Sequence, residues 1–237
     1  MTETTTETLD YAEGALSFRA FVAAPPGVGP CPAVLICHAW TGLSDSERGW
    51  AVEQAERGRV GVALDVYGEG RLGTTVEEKR ALMGPLLEDR ARLHRRLSAG
   101  IAAAKAHPRV DPDRVIVIGF CFGGLCALDV ARCGEDVLGV VSFHGLLGPP
   151  PTPPAAVRAR VLVLHGHDDP MVPPEDVLAF QAEMTTAGAD WQVHVYGSTM
   201  HAFTNPAAND PGFGTVYSAR ADARARGSFE AFVAELF

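Results

Sequence analysis

The chain has 237 residues, of which 47% are hydrophobic and 21% are charged, and its formal net charge is −9 at pH 7. These values describe a soluble globular protein that is long enough for one sizeable core. The negative charge argues against nucleic acid or an anionic membrane surface as a partner. The amino terminus lacks the pattern of a signal peptide, and no apolar stretch has the length of a membrane span. We therefore expect a cytoplasmic protein.

Strand-like and helix-like segments alternate along the chain. Strands are predicted at residues 32–40, 59–68, 113–120, 137–145, 159–166 and 191–198. Helices are predicted at residues 45–58, 76–107, 123–134, 174–188 and 219–237. Proline should interrupt the longest of these helices near Gly84-Pro85. The proline-rich residues 148–157 are interpreted as a surface connection.

The pattern of these elements predicts the fold class. Runs such as VLI, VIVI and VLVL are apolar on both faces, as expected for a parallel sheet covered by helices on both sides. Strands that alternate with helices imply right-handed βαβ units and a doubly wound α/β fold with a mostly parallel sheet. We expect one domain over residues 1–237, with residues 1–10 as a flexible tail.

The five cysteines are Cys31, Cys37, Cys121, Cys126 and Cys133. An odd number without a secretion signal indicates reduced thiols, not a disulfide framework. Three of them, Cys37, Cys126 and Cys133, are interpreted as small apolar residues. Cys121 differs because it follows directly on a predicted buried strand.

Cys121 lies in the segment GFCFGG, which has the form Gly-x-nucleophile-x-Gly. This sharp strand-to-helix turn projects a nucleophile above the sheet and requires glycines where the backbone passes closely. The sulfur would lie at a helix amino terminus, where the dipole and N–H groups favour a thiolate and can receive an oxyanion. A buried structural cysteine in an ordinary turn is the alternative.

Two further segments supply partners for a nucleophile. HGHDDPMVP has the form His-Gly-x-x-Asp-x-x-Val-Pro at a strand end, which selects Asp169 over Asp168. STMHAF places His201 after the next strand. The order nucleophile, acid, histidine is that of α/β-hydrolases, in which a base removes the proton and an acid orients the base.

Taken together, GFCFGG, HGHDDPMVP and MHAF strongly resemble the dienelactone hydrolase family, within the α/β-hydrolase fold. The resemblance extends from about Ala15 to Phe237, with LDVYGEG and SFHG as weaker support. It implies hydrolysis of a small carboxylic ester or lactone through a thioester acyl-enzyme, without a metal or organic cofactor.

The resemblance also implies the roles of particular residues. Cys121, His201 and Asp169 would form the catalytic triad. The backbone N–H groups of Phe122 and Trp40 would form the oxyanion hole.

The sequence departs from the family pattern at two places. Ala39 stands where the family has a glutamate near the resting cysteine, and Asn205 stands where it has an arginine that holds the substrate carboxylate. Lys79, Arg80 and Arg71 are candidates to supply a cation instead. These differences indicate a relative with another substrate.

Five residues are candidates for the substrate pocket: His38, Tyr67, His144, Phe203 and Asn205. For His38 a structural role in the oxyanion loop is favoured, and for Tyr67 an ordinary turn is favoured. The pocket and structural interpretations of His144 are equally supported.

Other functions use the same residues. A thioesterase or acyltransferase would share the triad, and a non-catalytic ligand-binding homologue would have no reason to retain it. A metal site is a further alternative, although His165 and His167 would alternate faces on a strand. Its candidate ligands are His38, His144, His165, His167, Asp168, Asp169 and His201. The sequence leaves monomer and homodimer open.

Overall fold

A computed structural model describes residues 4–151 and 156–237 of the chain. The described residues form two compact units, one that ends at Ile118 and one that runs from Gly119 to Phe237. No helix within these residues is both long and apolar enough to cross a bilayer.

The first unit begins with a hairpin and continues with alternating strands and helices. Its elements are β1 (Thr5–Glu13), β2 (Leu16–Ala24), β3 (Cys31–Cys37), α1 (Asp45–Glu56), β4 (Val60–Leu64), α2 (Val76–Glu88), α3 (Arg90–Lys105) and most of β5 (Val110–Phe120). The strand order is β1-β2-β4-β3-β5. The pairs β1/β2 and β2/β4 are antiparallel, and β3/β4 is parallel.

The central strands of this unit are buried because helices cover them. Every residue of β4 and the last five residues of β3 are buried. Helix α1 packs against β2, β3 and β4, and α3 packs against β1. Strands enclosed in this way have no polar face, which explains the continuous apolar runs in the sequence.

The expected flexible tail over residues 1–10 is largely a strand. β1 pairs with β2 along its whole length, from Thr5 opposite Ala24 to Glu13 opposite Leu16. Its polar composition gives no apolar alternation, but its threonines are β-branched and favour extended backbone. The Tyr11 hydroxyl also donates to the carbonyl of Asp65. Residues 1–3 lie outside the described part.

The helical region predicted over residues 76–107 divides at Asp89 and not at Gly84-Pro85. Helix α2 continues through Pro85. The Asp89 carboxylate accepts the backbone N–H of Arg92 at 2.8 Å and so caps α3. The Asp89 side chain thus satisfies a backbone N–H in the first turn of α3 and marks where the two helices divide.

The second unit carries the remaining elements. These are α4 (Phe122–Arg132), β6 (Gly139–Phe143), β7 (Arg160–Gly166), α5 (Pro174–Thr186), β8 (Trp191–Tyr196), β9 (Asn209–Asp210), β10 (Thr215–Val216) and α6 (Ala219–Leu236). Strands β6, β7 and β8 are parallel neighbours. Helices α4 and α6 pack against β6 and β7, and α5 packs against β8. β9 and β10 form a short antiparallel ribbon.

The alternation of parallel strands with covering helices confirms the predicted α/β class. The short ribbon and β1 lack an apolar run and were not predicted, and β2 was missed although its residues 20–24 are apolar. Of the proline-rich connection predicted over residues 148–157, residues 152–155 lie outside the described part.

Gly61 provides a test of how closely helix α1 approaches strand β4. A Cβ at this position would lie 2.5 Å from Cα of Ala51, so helix and strand would have to move apart. We expect Gly61→Ala to lower the free energy of unfolding by about 1–3 kcal/mol through overpacking. Urea denaturation measures the change.

Gly49 is the matched control because it lies in α1 with nothing near its missing Cβ. Gly49→Ala should raise the free energy of unfolding by about 0.5–1 kcal/mol through helix propensity. Equal effects of the two substitutions would contradict the close approach.

Candidate active site

Cys121 occupies the turn between β5 and α4 in a rare backbone conformation. Its φ is 55° and its ψ is −116°, a region that side-chain-bearing residues seldom adopt. The conformation is held from outside the turn, since the Cys121 N–H donates to the carbonyl of Phe143 at 3.1 Å. Such local strain persists only where the surrounding structure enforces it.

Two glycines of GFCFGG are each required because another part of the backbone lies too close for a side chain. A Cβ on Gly119 would collide with the carbonyl oxygen of Gly123. A Cβ on Gly124 would lie 2.6 Å from Cα of Gly145. The turn therefore brings backbone against backbone on both sides of Cys121, as the motif predicts.

Asp169 and His201 form a short buried hydrogen bond. His201 Nδ1 lies 2.7 Å from Asp169 Oδ2, and each residue is only 2% exposed. The other carboxylate oxygen, Oδ1, accepts the backbone N–H of Met171 at 2.9 Å. Asp168, by contrast, is exposed. The structure thus pairs His201 with Asp169, the aspartate that the sequence pattern selects.

The backbone of His201 is fixed on both sides. Its N–H donates to the carbonyl of Gly214 at 3.0 Å, and its own carbonyl accepts the N–H of Val216 at 3.1 Å. Gly214 has a φ of 86°, and a Cβ there would collide with Pro170. The sequence analysis did not predict this support. Its signal in the sequence is Gly214, the second glycine of the segment GFGTV.

The electrostatic surroundings favour a charged His201. Burial alone would lower its pKa, but the charge of Cys121 and the hydrogen bond with Asp169 outweigh burial and raise the pKa of His201 to about 10. With Nδ1 donating to Asp169, Nε2 is the nitrogen left for proton exchange. Nε2 makes no hydrogen bond of regular geometry within the described residues.

Two further buried histidines surround this pair. The His144 ring meets His201 edge-on at 5.2 Å, and its Nε2 lies 2.8 Å from Thr204 Oγ1. Burial lowers the pKa of His144 well below its ordinary value, and the charge of His201 lowers it further. Burial likewise lowers the pKa of His165, against the opposing effect of Asp169. The surroundings of His144 and His165 therefore favour the neutral form of both imidazoles.

The remaining pocket candidates of this unit differ in burial. Phe203 is fully buried, with its ring edge-on to His144 at 5.2 Å. Asn205 is exposed, and its side-chain oxygen accepts the N–H of Ala207 at 3.0 Å. Phe203 thus packs beneath His144, while Asn205 caps a surface turn.

The pocket candidates of the first unit form hydrogen bonds with backbone groups. His38 Nδ1 lies 2.7 Å from the carbonyl of Ala39, and its Nε2 accepts the N–H of Val66 at 3.1 Å. The Tyr67 hydroxyl donates to the carbonyl of Trp40 at 2.9 Å. These contacts join the segments that follow β3 and β4.

The side chains that were candidates to bind a metal ion differ in exposure to solvent. His165 is buried and His167 is exposed, as alternation along a strand predicts. In residues 4–151 and 156–237, no group of three or more histidine, cysteine, aspartate or glutamate side chains is arranged to hold a metal ion.

Comparison with known proteins points to one family. The model of the dienelactone hydrolase family matches residues 18–237. A solved structure named m3DLH is 35% identical with a TM-score of 0.94, and a dienelactone hydrolase-like promiscuous phosphotriesterase from metagenomic libraries is 34% identical with a TM-score of 0.94. Each alignment covers 99% of both chains.

A curated relative from Bradyrhizobium supports the same family. This probable 2-oxo-3-(5-oxofuran-2-ylidene)propanoate lactonase is 28% identical over 206 residues, which is 82% of each chain. These similarities, with those of the solved structures, confirm the predicted fold.

The raised pKa of His201 can be tested by removing its causes. Cys121→Ala and Asp169→Asn each remove a group that favours the imidazolium, while burial continues to oppose it. We expect each substitution to lower the pKa of His201 by about one pH unit or more. A ¹⁵N–¹H NMR titration of the imidazole measures it, and an unchanged pKa in both variants would contradict the assignment.

Proposed function

The chain belongs to the dienelactone hydrolase family and is an ester or lactone hydrolase, and we propose that Cys121 is its nucleophile in a triad with His201 and Asp169. The observation that carries the proposal is the short buried bond from His201 to Asp169, within the same unit as the strained Cys121 turn. The influence of Cys121 on the pKa of His201 supports their pairing.

Acylation begins with the proton on His201 Nε2 and a thiolate on Cys121. The sulfur attacks the substrate carbonyl carbon, and the carbonyl π electrons move to oxygen to give a tetrahedral oxyanion. When the C–O bond to the leaving group breaks, the leaving oxygen takes the proton from Nε2. A thioester on Cys121 and a neutral imidazole remain.

Deacylation uses the neutral imidazole as a base. Nε2 removes a proton from water, whose oxygen attacks the thioester carbonyl. The second tetrahedral intermediate expels the Cys121 sulfur and releases the acid, with the proton again on His201. Asp169 holds the imidazole tautomer and stabilises the charged form in both steps.

Oxyanion stabilisation is assigned to backbone amides. Phe122 is the first residue of α4, so its N–H lies in the turn where helix amides point beyond the helix end. The resemblance assigns the N–H of Trp40 as the second donor. The ring of His144 meets that of His201 edge-on, and Phe203 packs against His144 in turn.

The substrate proposed is a small ester or lactone other than a dienelactone. The glutamate and arginine of the family pattern are replaced by Ala39 and Asn205, and Asn205 is committed to a turn. The relative described as a lactonase supports a lactone. We further propose one functional domain, a cytoplasmic location, and a monomer or homodimer.

Trapping the acyl-enzyme tests the nucleophile. Intact-protein mass spectrometry during p-nitrophenyl acetate hydrolysis should show one acetyl adduct that forms and decays at the turnover rate. Cys121→Ala should lose the adduct and at least about 10⁴-fold in kcat. Cys133→Ala, which removes an exposed thiol, is the matched control and should behave as wild type.

Other results of this experiment distinguish the alternatives. An adduct that persists in water but disappears on addition of an alcohol or thiol acceptor would indicate an acyltransferase. Full activity in Cys121→Ala would refute the triad.

The paired aspartates test the acid. Asp169→Asn should lower kcat by about 10²–10⁴-fold with a smaller change in KM, because its interaction strengthens as His201 becomes charged. Asp168→Asn removes the neighbouring exposed carboxylate and should change kcat by less than about threefold. Steady-state kinetics of both variants measures the difference. Similar losses in the two would show that the segment matters for folding and not for orienting His201.

A further inference from the structure

The first unit contains a small cavity whose lining includes no residue of the proposed triad. It has a volume of about 100 Å³ and lies between α2, α3 and the turn that follows β4. Its lining residues are Tyr67, Arg71, Ala81, Leu82, Pro85, Leu86, Arg92 and Arg96. Three guanidinium groups thus meet at one cavity, opposite an apolar wall.

Arg96 is the buried member of this group, at 4% exposure. Its Nη1 donates to the carbonyls of Val66 at 2.9 Å and Tyr67 at 3.2 Å. Its Nε has no hydrogen-bond partner within the described residues. The guanidinium also lies over the Phe18 ring, 5.5 Å from its centroid. These contacts are with neutral groups, and a buried charge without a directly bonded counterion is costly.

Arg71 and Arg92 are the exposed members. Arg71 Nη2 donates to the carbonyl of Tyr67 at 2.8 Å, so Arg71 and Arg96 meet at the same backbone oxygen. The nearest recorded carboxylate of Arg71 is that of Glu69 at 3.9 Å, in a solvent-exposed pair of little strength.

The balance of charge at the cavity is positive. Burial lowers the pKa of Arg96, and the charges of Arg92 and Arg71 lower it further, ahead of the opposing effects of Glu13 and Asp65. This local excess of cations contrasts with a net charge of −9 for the whole chain. A surface of that net charge repels anions in general, so a bound anion requires a specific local site.

We propose that this cavity binds a phosphate-sized oxyanion, either inorganic phosphate or the phosphoryl group of a small metabolite. Three guanidinium groups suit a dianion with several acceptor oxygens better than a monocarboxylate, because each planar fork can donate two hydrogen bonds. A volume of about 100 Å³ holds such a group but not a drug-sized molecule. Cys121, His201 and Asp169 are not among its lining residues.

Isothermal titration calorimetry of the full chain tests the proposal, with sodium phosphate and sodium acetate as probes at constant ionic strength. We expect one phosphate site per chain, with acetate at least about tenfold weaker. Phosphate should also raise the temperature of unfolding in proportion to its occupancy. No phosphate binding at tens of millimolar, or equal binding of the two anions, would overturn the proposal.

Substitutions then locate the site. Arg92→Gln and Arg71→Gln should each weaken phosphate binding by about tenfold or more, as expected for the loss of a charge-assisted hydrogen bond. Arg220→Gln removes an exposed arginine of α6 and should leave the affinity unchanged. Equal affinities in all three variants would place bound phosphate elsewhere and overturn the proposal. Hydrolysis of p-nitrophenyl acetate by Arg92→Gln should match wild type, which separates this site from the triad.

Discussion

The backbone conformation of Cys121 is the constraint on which the candidate site depends. A cysteine with φ of 55° can persist only because the carbonyl of Phe143 accepts its N–H and because Gly119 and Gly124 allow close backbone contact. The same turn starts α4, so strand end, sulfur and helix amides share one fixed frame. The strain of this turn therefore holds in a fixed position the sulfur that we propose as the nucleophile.

Three buried histidines show how position decides charge. His201, His144 and His165 are each 2–3% exposed, yet only His201 has its pKa raised. The difference lies in the neighbours, because the charge of Cys121 and the hydrogen bond with Asp169 raise the pKa of His201, whereas His144 bonds to the neutral hydroxyl of Thr204. A single charged imidazole among neutral rings suits the proposed mechanism, in which one nitrogen exchanges the proton.

The sequence was sufficient for features that arise from local motifs. The glycines around Cys121 and the choice of Asp169 over Asp168 follow from spacing, since each reflects a steric or burial requirement of a few adjacent residues. The sequence also predicted β3 to β7, because their apolar runs identify buried strands. These are short-range signals.

Features that depend on distant partners were not predicted. The helical region divides at Asp89, whose side chain caps α3, and not at Pro85 as expected. The strand over residues 5–13 has no apolar pattern. The support of His201 by Gly214 joins segments with no periodic signal. In each case a hydrogen bond made in the folded chain decides the structure.

The position of β1 at the end of the strand order has a further consequence for the behaviour of the protein at high concentration. An outermost strand offers unpaired amides and carbonyls to any other chain that can align with it. Here Asp10 and Glu13 form ion pairs with Arg19 and Arg95, and Glu7 Oε1 lies 3.1 Å from His107 Nε2. A second chain that added to this edge would have to place its own side chains beside these charged groups, so the polar first strand opposes self-association of the sheet into aggregates.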